Sequence, residues 1–99
     1  MGIIHNAETD QLFETLLRLE STQECYELFE DLCTIKELRD MAQRLQVARL
    51  LDQGMKYQEV AAQTSVSSAT ISRVNKCLVY GTGGYRRALD KMKKAEQTE

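Results

Sequence analysis

Apolar positions recur at helical spacing along most of this chain, and the pattern predicts six helices joined by short connections. From about Ala7 to Leu19, the residues Leu12, Phe13, Leu16, Leu17 and Leu19 keep that spacing. Ser21-Thr22-Gln23-Glu24 then forms a capping box, whose hydroxyl and carboxylate satisfy free N–H groups in a new first turn. The second helix carries Cys25, Leu28, Phe29 and Leu32 on one face. A further capping box, Thr34-Ile35-Lys36-Glu37, opens the third and longest helix. Its expected buried stripe is Leu38, Met41, Ala42, Leu45, Ala48 and Leu51, widened by Val47 and Leu50. Gly54 is placed to end it, because glycine takes the left-handed conformation at little cost.

The next stretch, from Tyr57 to Tyr80, has the layout of a helix-turn-helix: a short helix, a tight turn, and a second helix crossing the first closely. Close crossing needs a small residue on the first helix, and Ala61 stands there. Val60 and Thr64 face inward from the first helix, Val66 plugs the turn, and Ile71, Val74 and Leu78 hold the second helix to the core. Ser67 suits the N-cap of that second helix. The turn position most often filled by glycine is Ser65, so a non-glycine residue is expected at positive φ. Past Tyr80, Gly81-Thr82-Gly83-Gly84 interrupts the periodicity as a hinge. It lacks the preceding strand and the Gly-Lys-Ser/Thr ending of a phosphate loop. A basic final helix runs from Tyr85 to about Ala95, with Leu89 and Met92 inward.

The chain is thus expected to be all-α and one domain over residues 1–99. Dimerisation helices would occupy about 7–54, the helix-turn-helix 57–80 and a C-terminal helix 85–95. The leucines of the first two helices would leave apolar surface exposed on a single copy, which points to an obligate homodimer packed through them. No apolar run is long enough to span a bilayer, and the N-terminus has no signal-peptide pattern, so a cytoplasmic location without membrane contact is expected. Cys25, Cys33 and Cys77 show no metal or disulfide spacing and are read as small core hydrophobes. The single histidine, His5, gives them no ligand partner.

The net charge of −2 changes meaning once it is divided along the chain. Residues 1–55 carry five Lys/Arg against eleven Asp/Glu, a balance of −6. Residues 56–94 carry eight Lys/Arg against two Asp/Glu, a balance of +6. A basic second half around a helix-turn-helix is what a polyanion-facing surface requires. The outer face of the second helix is polar, with Ser67, Ser68, Ala69, Thr70 and Ser72 placed for base edges, thymine methyls or bridging water. Arg73, Lys76, Arg86 and Arg87 are the expected phosphate contacts. No nucleophile–histidine pairing and no metal-ligand cluster is apparent, so an enzyme is not expected.

These segments also resemble a known family. The six-helix order, the stretch Gly54-Met55-Lys56-Tyr57-Gln58-Glu59-Val60 and above all Ala69-Thr70-Ile71-Ser72-Arg73 are similar to the Trp repressor family of bacterial regulators. Arg39-Asp40-Met41 and Gly81-Thr82-Gly83-Gly84-Tyr85 resemble its YerC/YecD branch. The resemblance covers about residues 8–92 and implies an intertwined homodimer that binds a double-stranded operator. It also implies an indole site between two arginines, one on the third helix and one on the recognition helix. Arg73 matches the second arginine. The glycine that leaves room for the ring is Val74 here, and the first arginine falls at Gln43, with Arg44 one residue away. Gln43, Arg44, Arg73 and Val74 are therefore the candidate ligand residues. Tryptophan is not the expected corepressor, and no cofactor is expected beyond a small molecule of unknown identity. The leading reading is a sequence-specific transcriptional regulator, with repression as the expected outcome. The alternative is a helical protein–protein interaction module that no longer binds DNA.

Overall fold

A computed structural model of the chain describes residues 5–97. The start Met1-Gly2-Ile3-Ile4, which enters the signal-peptide reading, lies outside the described residues. Six helices follow one another: α1 (Ala7–Leu16), α2 (Thr22–Leu32), α3 (Ile35–Asp52), α4 (Tyr57–Thr64), α5 (Ser68–Tyr80) and α6 (Gly84–Gln97). Among the described residues there is no strand, and no helix is long and apolar enough to cross a membrane.

The helix ends follow the cap chemistry closely. Asn6 accepts the Thr9 N–H at 2.8 Å to start α1, and Ser21 Oγ accepts the Glu24 N–H at 3.1 Å to start α2. Thr34 and Glu37 make both bonds of a capping box, at 2.9 and 3.1 Å. The Thr34 N–H holds the Glu37 carboxyl below the usual range, with the Thr34 side chain adding to it. At the far end of α3, Gly54 has φ +91°. The Gly54 N–H reaches the Leu51 carbonyl at 3.0 Å and the Met55 N–H the Leu50 carbonyl at 3.1 Å, a Schellman closure. Helix α1 stops at Leu16, three residues short of the expected Leu19. The Arg18 and Leu19 N–H groups bond to carbonyls three residues back, so the apolar period runs on through a tightened final turn.

The chain forms two units, divided between Leu38 and Arg39 within α3. The first unit holds α1, α2 and the first turn of α3. No residue of α1 or α2 is buried. Leu12, Leu16, Leu28 and Phe29 are half-buried, whereas Phe13, Leu17, Tyr26, Leu32 and Ile35 are exposed, Leu17 to 85%.

The second unit holds the core. Val47, Ala48 and Leu50 of α3 meet Val60 of α4, Ile71 and Val74 of α5 and Leu89 of α6, all buried. Leu51, Met55, Ala61, Val66, Leu78, Tyr85 and Met92 pack around them. Each buried Val, Ile or Leu side chain contributes about 1.5–3 kcal/mol. The expected stripe on α3 is corrected here: Met41, Ala42 and Leu45 are exposed, and burial starts at Val47. Only the C-terminal half of α3 has α4, α5 and α6 against it. The cysteine reading is corrected as well. Cys25 and Cys33 are only half-buried and Cys77 is exposed, about 100° round α5 from the packed Leu78.

Candidate nucleic-acid interface

Helices α4 and α5 are joined by Ser65, Val66 and Ser67, and each of the three has a separate task. Ser65 takes φ 60° and ψ 20° and sends its N–H to the Ala61 carbonyl at 2.9 Å, the sharp reversal expected there. It is the one non-glycine residue at positive φ among the described residues. Thr64 Oγ1 donates to the Val60 carbonyl at 2.8 Å and accepts the Val66 N–H at 3.3 Å, which seats Val66 on the core. Ser67 Oγ accepts the Thr70 N–H at 3.2 Å and donates to Thr70 Oγ1 at 3.1 Å, capping α5.

That cap divides the candidate base-reading residues. Ser68, Ala69 and Ser72 are exposed, as are Arg73 and Lys76 further along the same helix. Thr70 is half-buried, and its hydroxyl is engaged by Ser67. Ile71 and Val74, by contrast, are buried to 0% and 2% exposure, so α5 cannot rotate about its axis without breaking the core. Its outer face is fixed. No ion pair engages Arg73 or Lys76 among the described residues. Beyond Lys76 the helix ends in two exposed apolar residues, Val79 and Tyr80, at 58% and 82%.

Helix α6 carries the two neighbouring arginines, and they have different surroundings. Arg86 Nη2 lies 2.6 Å from Asp52 Oδ1, and Arg86 Nη1 lies 3.3 Å from Asp90 Oδ1. Lys93 Nζ reaches the other Asp52 oxygen at 2.7 Å. The Arg86 guanidinium, helped by Lys93, holds the Asp52 carboxyl down to about 2, and Asp52 in turn raises Arg86. The positive charge of Arg86 is therefore largely spent within the protein. Arg87 pairs with no carboxylate among the described residues, and its Nη2 donates to the Thr82 carbonyl at 3.3 Å. Sequence reading missed Asp52. Its signal was an acidic side chain in the last turn of a helix, where the macrodipole disfavours negative charge and a cationic partner is needed.

The candidate ligand residues lie on α3 and α5. Gln43 and Arg44 are half-buried, Arg73 is exposed and Val74 belongs to the core. Tyr85, which sequence reading left without a role, packs on that core. Burial pushes its hydroxyl upward and the Cys77 thiol adds to this, while the charges of Arg44 and Arg73 act in the opposite direction. Arg44 and Arg73 thus both come within electrostatic reach of one phenol of the chain itself. No group of three or more His, Cys, Asp or Glu side chains could hold a metal ion among the described residues.

Comparison with known proteins agrees with this arrangement. The family model for the Trp repressor protein matches residues 7–93. The uncharacterized protein YerC of Bacillus subtilis (strain 168) is 48% identical over 93 residues, covering 94% of this chain and 89% of that protein. The crystal structure of a TrpR-like protein from Eubacterium eligens ATCC 27750 is similar with a TM-score of 0.90 and 39% identity, covering 94% of this chain and 96% of that one. A candidate Trp repressor from Staphylococcus aureus is similar with a TM-score of 0.88 and 42% identity, covering 92% and 91%. With six helices in this order, a capped helix-turn-helix at α4–α5 and a match over nearly its whole length, the chain belongs to the Trp repressor family.

Proposed function

We propose that the protein is a homodimeric, sequence-specific DNA-binding regulator of transcription that acts through α4 and α5. The observation that carries this reading is the two-sided character of α5. Its inner residues Ile71 and Val74 are locked in the core, while Ser68, Ala69, Ser72, Arg73 and Lys76 stand exposed, with no carboxylate among the described residues paired to either cation. A helix that enters the major groove with its N-terminal end leading needs small polar groups first and cations behind, and this order is met. Ser68, Ala69 and Ser72 then face base edges, and Ser67 and Thr70 hold the helix tip. Arg73, Lys76 and Arg87 meet phosphates, and Arg86 serves as the strut to Asp52.

The exposed Phe13, Leu17, Leu32 and Ile35 call for cover, and a second copy of the chain supplies it in this reading. The two recognition helices would then contact half-sites about 34 Å apart on a palindromic operator. In this reading the dimer acts by steric repression of transcription, in the cytoplasm. Tryptophan is not the effector in this reading, because Val74 is packed into the core where the resemblance calls for a glycine. Exposed Val79 and Tyr80 favour the second reading, a protein–protein interaction module. Selection of bound sequences from a random duplex pool tests the proposal. A recovered palindrome supports it, and the absence of any gel shift with random duplex at low salt and micromolar protein would overturn it in favour of the module.

A further inference from the structure

The link between α5 and α6 is only three residues long, Gly81-Thr82-Gly83, and the side chain of Arg87 folds back over it. Gly83 has φ +94°, a conformation open to glycine and strained for other residues. A β-carbon at Gly83 would also stand 3.0 Å from Arg87 Nη1, 3.4 Å from Cζ and 3.5 Å from Nη2. The guanidinium thus lies on the bare face of Gly83 with Nη2 donating to the Thr82 carbonyl at 3.3 Å. The Arg87 backbone N–H bonds to the Gly83 carbonyl at 2.9 Å, so Arg87 is tied to the link by its main chain at Gly83 and by its side chain at Thr82. Arg86, one position earlier, is committed to Asp52 and Asp90. Of the two arginines, Arg87 alone keeps its charge open to an outside anion.

We infer that Gly83 is a positioning residue for DNA binding, its missing side chain making the seat that holds Arg87 ready for a backbone phosphate beside the recognition helix. An unrestrained arginine must lose rotamer freedom when it meets a phosphate, and a seated one has already lost part of it. One bond to a main-chain carbonyl uses one of five guanidinium N–H donors and leaves a fork for the phosphate oxygens. The seat ties the first turn of α6 to the three-residue link that leaves α5, so the anchoring group and the reading helix are separated by one short segment.

The inference rests on the DNA-binding reading, and the test separates the two. DNA affinity and its salt dependence are measured for the wild type, Gly83→Ala, Arg87→Ala, the double variant, Arg87→Lys and Lys76→Ala. Arg87→Ala is expected to lose about tenfold in affinity and to lower the salt slope by about one unit. Gly83→Ala should lose a similar factor, and the double variant should bind no worse than Arg87→Ala alone. Arg87→Lys keeps the charge and the glycine, so its slope should stay near that of the wild type while its affinity falls severalfold. Losses from Gly83→Ala and Arg87→Ala that multiply would overturn the inference, as would Arg87→Lys binding like the wild type. The second outcome decides the matter even if Gly83→Ala fails to fold. If Lys76→Ala lowers the slope while Arg87→Ala does not, DNA binding stands and the seat is wrong. If no variant and no wild-type protein shows salt-dependent binding, the DNA reading itself has failed and the seat with it.

Discussion

Arg86 of α6 and Asp52 of α3 meet at 2.6 Å, and Lys93 closes on the same carboxylate at 2.7 Å. Asp52 is only 11% exposed, so a carboxylate left there without cations would be costly. Asp52→Asn is expected to destabilise the protein by about 1–2 kcal/mol, because the cationic partners are still partly solvated. The pH dependence has a definite sign. The folded-state pKa of Asp52 is lowered from 3.8 to about 2, so its contribution is complete above about pH 4 and is lost as pH falls through about 2. Urea unfolding between pH 2 and 7 should show this loss in the wild type and a flatter profile in Asp52→Asn.

Lys76 stands on the exposed face of α5 behind the base-facing tip. Lys76→Ala should weaken binding to all duplex sequences alike and reduce the salt slope by about one unit, read from titrations at several salt concentrations. Ser68→Ala should instead change affinity for the selected operator more than for random duplex, since a hydroxyl near base edges carries sequence information.

Ser65 occupies the left-handed region with φ 60°. Ser65→Gly should therefore stabilise the fold by about 0.5–1 kcal/mol, relief of the backbone strain being partly offset by a more flexible unfolded chain. Chemical denaturation measures it, and a destabilised variant would show that the Ser65 side chain holds the turn through some other contact.

Leu17 is 85% exposed and Phe13 52% in the single chain. If a second copy covers them, the melting temperature rises with protein concentration. Leu17→Glu should shift the sedimentation profile to monomer and weaken operator binding together. A Leu17→Glu protein that stays dimeric would remove these residues from the interface.

Added L-tryptophan should leave operator affinity unchanged, because Val74 is packed in the core and cannot move aside freely. Gel shifts with and without the amino acid check this. A tenfold gain in affinity on adding tryptophan would overturn it.

Much of the fold was legible in the residue pattern, for reasons local to each element. Capping pairs such as Thr34 with Glu37, the glycine at 54 and the serine at 67 act over three or four residues, so the sequence shows them directly. The helix-turn-helix core of Val60, Val66, Ile71 and Val74 could likewise be read, because periodicity alone sorts the inner face of a short helix from the outer. The apolar excess of α1 and α2 and the basic second half were visible as composition.

Only tertiary structure decided the rest. Met41 and Leu45 share the apolar period of α3 with Ala48, yet only the later half of the helix joins the core formed with α4, α5 and α6, and no local pattern records where that core ends. Arg86 and Arg87 are identical and adjacent in sequence, but one turns to Asp52, 34 residues away, and the other lies across Gly83. Charge is written in the sequence. Whether a charge is answered inside the protein or left for a partner depends on which side chains folding brings within about 3 Å, and that is a property of the packed helices alone.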